Sequence, residues 1–252
     1  MTPAPVGQRC PEHSGNPRGV ARATSAVRRA GYEGTGGVVT RALIAANVVI
    51  YLLELVNGGN VNGVGSKIYE KGVLFGPLVA QGDWWRLITS AFLHYGPIHL
   101  AFNLLALWWI GTPVENYLGR WRFLLVYLVS GLAGAAGALV IDPTTPTAGA
   151  SGAIFGILGA ALVLERQRAY VLGGSALGLI VINLVISFTF PGISVGGHVG
   201  GLIGGALCML ALSRFGRGHG AYGRLGVPGV AGVVAVGLLS VLIAYWKVRG
   251  YA

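Results

Sequence analysis

Residues 122–141, RFLLVYLVSGLAGAAGALVI, decide the fold class. After the leading arginine no charge follows for the rest of the run. About 20 mostly apolar residues is what a helix needs to cross a hydrocarbon layer roughly 30 Å thick. Comparable runs recur at 41–57, 97–117, 149–164, 169–190, 197–213 and 226–246, so the pattern predicts seven spans. The composition agrees. Of 252 residues 54% are hydrophobic and 10% charged, against about 25% charged in an average soluble domain. So few charges cannot cover a soluble enzyme of this size, and so apolar a chain is not disordered. Two cysteines, Cys10 and Cys208, exclude a disulfide scaffold, and eight acidic residues are too few for a multi-carboxylate metal machine. The expected fold is an all-α polytopic membrane protein.

The runs divide the chain. Residues 1–40 are rich in Gly, Pro, Ser and Arg and read as a flexible basic tail without a secretory signal. Within it, RCPEH offers Cys10 and His13, two ligands where zinc needs about four, so no metal is expected. The predicted core is 41–213, with a basic linker at 214–225 and the seventh span in 226–252. With the N-terminus inside, thirteen of the 18 Lys and Arg fall on the cytoplasmic side. This bias predicts N-in, C-out topology. The net charge of +10 is then a topology signal rather than a nucleic-acid footprint. The first outside loop, 58–96, contains DWWR (83–86); it is too polar to span and too aromatic for a linker. It reads as a folded loop at headgroup level, the alternative being an ordinary external loop.

Polar side chains inside spans are either packing devices or the site. His99 and Asn103, in HYGPIHLAFN (94–103), are four apart and share one helix face. Both can donate to an anionic oxygen; the plainer reading is an interhelical hydrogen-bond pair. Ser151 sits in GASG (149–152) at the start of the short fourth helix, near a helix N-terminus that favours a developing oxyanion. The plainer reading there is an N-cap or a packing motif. So short a helix is expected to start below the membrane surface, in a watery cavity. His198 sits in GGHVGG (196–201). Gly197, Gly201 and Gly205 form one small-residue stripe; Gly152, Gly156 and Ala160 form another. If the stripes face each other, Ser151 and His198 come together at the outer ends of two helices. Serine needs a neighbour to take its proton, and neutral histidine can do so. Asp142, nine residues before Ser151 beyond a Pro-containing loop, is the nearest acidic residue. A Ser–His dyad is therefore expected rather than a triad, with His99, Asn103 and the Ser151 N–H as an oxyanion hole.

These residues resemble the rhomboid family of intramembrane serine proteases. The resemblance rests on WR (85–86), HYGPIHLAFN (94–103), VENYLGR (114–120), GASGAIFG (149–156) and GGHVGGLIGG (196–205), in the family's order. It implies a six-helix rhomboid bundle, with the run 226–246 similar to the extra helix of six-plus-one members. It implies Ser151 as nucleophile, His198 as base, and His99 and Asn103 as oxyanion-hole side chains. Phe155 takes the place of an aromatic beside the catalytic histidine, and Trp85 and Arg86 resemble a structural pair. Glu115 resembles a buried carboxylate near the cytoplasmic helix end. FPGISVGG (190–197) looks like a cap over the site. His94, Gly149, Gly152 and Gly201 are supporting positions. The implied reaction is hydrolysis of a locally unwound transmembrane substrate in the lipid bilayer, with no cofactor. The family style and short soluble regions point to a bacterial inner membrane, although an Arg-rich tail also suits a mitochondrial address. The rival readings are an inactive relative that escorts membrane helices, a small transporter, and a purely structural membrane protein.

Overall fold

The computed structural model describes residues 2–4, 7–9, 36–62, 64–213 and 226–251. Cys10, His13 and the basic linker 214–225 lie outside these residues. Two three-residue strands, β1 (Thr2–Ala4) and β2 (Gly7–Arg9), pair antiparallel. From residue 36 onward the described chain is helical bundle and connecting loop.

The first span is α1 (Val38–Val56). Three short helices follow, α2 (Lys67–Gly72), α3 (Gly76–Ala80) and α4 (Arg86–Thr89). The stretch 58–96 is therefore folded. Arg86 helps to hold it together. Its guanidinium donates to Asp83 at 2.8–2.9 Å and to the carbonyls of Glu70 and Val73 at 2.8 and 2.9 Å. The planar fork ties the 83–86 turn to the C-terminal end of α2. Trp85 adds a hydrogen bond from its indole to Lys71 O at 2.9 Å, while its ring stays half exposed.

The second span is interrupted. α5 (Gly96–Ala106) runs into a π turn at Leu107–Gly111 and then α6 (Thr112–Leu118). Pro113 explains the interruption, because its ring clashes with the carbonyl four residues earlier and it has no N–H to give. The remaining helices are α7 (Arg120–Ile141), α8 (Ser151–Arg166), α9 (Ala176–Thr189), α10 (Val195–Leu212) and α11 (Val227–Val248). Among the described residues five helical stretches are long and apolar enough to cross a membrane. They begin at Val38, Gly96, Arg120, Val195 and Val227. α8 has 16 residues, about 24 Å, which is short of the roughly 30 Å hydrocarbon layer. Its whole middle, Ala153–Ala161, is buried.

Glycine sets the packing at the centre. Cβ atoms on Gly201 and Gly205 would collide with the Gly152 and Gly156 carbonyls, so α10 and α8 touch backbone to backbone. The two stripes do face each other. Gly159, rather than the expected Ala160, continues the α8 side, against Leu202 O and Ala206. α10 meets a second partner in the same way, since Gly196 and Gly200 press on Gly137 and Ala133 of α7. α11 packs along α7 and α10, with Gly232 against Ala211. At its far end Ala244 and Val248 join a core cluster with Leu74, Val79 and Leu87. The seventh helix therefore buttresses the folded loop.

Candidate active site

The elements converge at one end of α5, α8 and α10. Ser151 is the first residue of α8, directly after a loop that is tied down on both sides. Leu74 and Thr147 exchange backbone hydrogen bonds at 2.9–3.0 Å, Gly149 N donates to Ser90 O at 2.9 Å, and Tyr95 Oη donates to Pro146 O at 2.6 Å. The folded outer loop thus fixes the chain leading into Ser151. Gly149 has a φ of +135°, which side-chain-bearing residues rarely adopt. A methyl group there would also lie 2.8 Å from Cε1 and 3.0 Å from Nε2 of His99. Only glycine lets the His99 ring rest on this backbone. The same point is 3.8 Å from Ser151 Oγ, so His99 Nε2 and the serine hydroxyl flank one small space.

His99 has a defined hydrogen-bonding role. The Tyr95 backbone N–H donates to its Nδ1 at 3.3 Å. A backbone N–H cannot accept, so the proton of the neutral ring belongs on Nε2, the nitrogen beside Gly149. His99 is therefore a donor toward the space next to Ser151. Asn103, one turn along, is buried, and Nδ2 donates to His99 O at 2.9 Å. That bond fixes the amide plane and leaves a second N–H on the same nitrogen. His94 is fully buried, with its ring 5.2 Å from that of His99. Burial pushes its ring pKa down to about 3, with repulsion from His99 a smaller cause.

His198 is buried on the first turn of α10. Ser194 caps that turn, its hydroxyl accepting from Gly197 N at 3.1 Å. Phe155, one turn after Ser151 on the same face of α8, stacks on the His198 ring. This contact puts the imidazole over the face of α8 that carries the serine. The hydrogen bond that His198 makes joins its Nδ1 to Ser187 Oγ of α9 at 2.6 Å. No hydrogen bond joins Ser151 to His198 among the described residues. Ser187 is a residue the sequence analysis did not single out. Its only signal there was a hydroxyl on the apolar fifth run, four residues after Asn183.

The other expected positions lie apart from this cluster. Trp85 and Arg86 hold the outer loop. Glu115 sits on α6, 16 residues beyond His99 and so about 24 Å along the span. It is fully buried and accepts from Val39 N, Thr40 N and Thr40 Oγ1 at 2.7–2.9 Å. It caps α1 from 75 residues away, where the carboxylate also meets the positive end of the helix dipole. Residues 190–194, the first part of the stretch 190–197 expected to cover the site, link α9 to α10, with Gly192 at a φ of +84°. Among the described residues no group of three or more His, Cys, Asp or Glu is placed to hold a metal ion.

Comparison with known proteins gives this arrangement its family. Residues 81–215 match the Rhomboid domain. The chain belongs to the rhomboid family. The Rhomboid protease GluP of Bacillus subtilis (strain 168) is 42% identical over 189 residues, which are 73% of this chain and 36% of GluP. The Rhomboid protease AarA of Providencia stuartii is 30% identical over 203 residues, 69% of this chain and 72% of AarA. RHOMBOID-like protein 5 of Arabidopsis thaliana is 36% identical over 142 residues, 53% of this chain and 46% of that protein. The match thus spans about a third of GluP. The rhomboid match begins at residue 81 and ends at 215, so it contains Ser151, His198, His99 and Asn103 but not α11. A rhomboid with these apolar helices is an integral membrane protein of a serine-protease family.

Proposed function

We propose that this rhomboid is an intramembrane serine endopeptidase in which Ser151 is the nucleophile and His198 its general base. The observation that carries the reading is the stack of Phe155 on His198, one helical turn from Ser151. In the reaction Ser151 Oγ bonds to the scissile carbonyl carbon while its proton passes to His198 Nε2. The carbonyl oxygen becomes an oxyanion beside His99 Nε2–H, the Asn103 amide and the Ser151 N–H. One such donor is typically worth about 2.7–4 kcal/mol of barrier. Collapse breaks the C–N bond, and the Nε2 proton goes to the leaving amine. Water then adds to the acyl carbon, again giving a proton to His198; the C–Oγ bond breaks, that proton returns to Ser151 Oγ, and the carboxylic product leaves.

The proposed substrates are transmembrane proteins whose helix unwinds near the cut site. A helical peptide bond has its carbonyl hydrogen-bonded and shielded, so small or helix-breaking residues there ease attack. The charge bias supports N-in, C-out topology with the site toward the outside. A bacterial inner membrane is the proposed home, and no cofactor is required. An inactive role in binding membrane helices is the second reading, motivated by relatives named only as rhomboid-like.

Labelling of native membranes with a fluorophosphonate probe tests the assignment. Wild type should label, and Ser151→Ala and His198→Ala should not. Equal labelling of all three removes the dyad. If none labels while a known rhomboid labels in parallel, the helix-binding role takes its place.

A further inference from the structure

We infer that Ser187 is a positioning residue that holds His198 in the tautomer a general base requires; this rests on the proposed role of His198. Ser187 Oγ has two short contacts, one with Asn183 O at 2.6 Å and one with His198 Nδ1 at 2.6 Å. Ser187 is 3% exposed, so the protein supplies the partners of its hydroxyl. A backbone carbonyl oxygen has no proton to give. Two oxygens 2.6 Å apart need a proton between them, and it can only be the one on Ser187. Having spent its single proton on Asn183 O, Ser187 meets His198 as an acceptor. The proton in the second contact therefore sits on Nδ1. In a neutral imidazole that leaves Nε2 with a free lone pair.

The arrangement also suits the cation. When Nε2 takes the proton from Ser151, the Nδ1–H bond to Ser187 is kept and strengthened by the ring's charge. No proton travels through Ser187; its own O–H keeps donating to Asn183 O throughout. A hydroxyl thus does at Nδ1 the orienting part of what a carboxylate does in a triad, without placing a second charge inside the membrane. Ser187 lies on α9 and His198 on α10, so the orientation of the base depends on how these two helices are docked.

Two measurements test this. Nitrogen-15 spectra of the membrane-embedded protein, labelled at the histidine rings and compared with His198→Ala for assignment, should show His198 protonated at Nδ1 and bare at Nε2 near neutral pH. The opposite tautomer in wild type overturns the inference whether or not the protein cleaves anything. In cleavage assays Ser187→Ala should lower kcat by about 10- to 100-fold and leave KM within about twofold. Ser187→Thr, whose hydroxyl can make the same bond to the carbonyl four residues back, should recover most of the loss. An unchanged kcat in Ser187→Ala, or no recovery in Ser187→Thr while that variant still folds, also overturns it. Failure of the dyad itself reads differently, as activity surviving in Ser151→Ala or His198→Ala.

Discussion

Phe155 lies flat on His198, with ring centroids 4.1 Å apart and planes 15° from parallel. The stack fixes the ring's tilt, and the hydrogen bond to Ser187 fixes its rotation. Phe155→Ala should remove the tilt constraint and leave a cavity, which costs about 3–5 kcal/mol for a buried phenylalanine. Cleavage should fall at least about tenfold, since small misplacements of a base are expensive. Phe155→Tyr keeps the ring and should stay close to wild type. Turnover of a transmembrane substrate in proteoliposomes checks both, and wild-type turnover by the alanine variant would show that the stack is dispensable.

The glycine contacts predict a steep positional contrast. At Gly201 a Cβ runs into the Gly152 carbonyl, whereas at Gly178 it meets nothing within 4 Å. Gly201→Ala must push α8 and α10 apart and should cost at least the 1–3 kcal/mol typical of overpacking. It should also reduce cleavage, because the same contact sets the first turns of α8 and α10, which carry Ser151 and His198, against each other. Gly178→Ala should change stability by under about 1 kcal/mol. Thermal unfolding in detergent compares the two, and similar midpoints would contradict the close contact.

The reach of Glu115 across the bundle predicts a structural phenotype without a chemical one. Glu115→Gln keeps one acceptor oxygen but loses the charge that meets two backbone N–H groups and the Thr40 hydroxyl. Charge-assisted hydrogen bonds are worth about 1.5–3 kcal/mol, and the variant should lose stability of that order. Fluorophosphonate labelling at low temperature should be unaffected, because Glu115 lies at the far end of the span. Loss of labelling in a folded variant would tie Glu115 to the chemistry.

His94 predicts a direction with pH. Burial lowers its folded pKa to about 3, while an unfolded histidine titrates near 6.5. Between these values the unfolded chain binds the extra proton, so stability falls as pH drops from about 6.5 toward 3. A His94→Gln variant should lose less stability than wild type over the accessible part of that window, pH 7 to 5. Parallel unfolding midpoints for the two proteins would show that His94 is not held neutral.

What the sequence determined by itself was local and periodic. Apolar runs near 20 residues marked the five long spans, while the runs at 149–164 and 169–190 became the shorter α8 and α9, and the four-residue spacing of Gly197, Gly201 and Gly205 marked the α10 face that meets α8. His99, Asn103, Ser151 and His198 stood out because a polar group in an apolar run is expensive. What only the tertiary structure decided was which distant groups meet. Nothing near Glu115 in the chain indicates that it caps α1, and nothing near Ser187 indicates that its hydroxyl meets Nδ1 of a histidine on the next helix. The second glycine contact of α10, with α7, and the seat of α11 beneath the outer loop belong to the same class. The reason is physical. Helical periodicity records which face of a helix is small or apolar, but any close-packed neighbour satisfies such a face. Hydrogen-bond partners across helices depend on the docking of several helices at once, and that docking is written in no single segment.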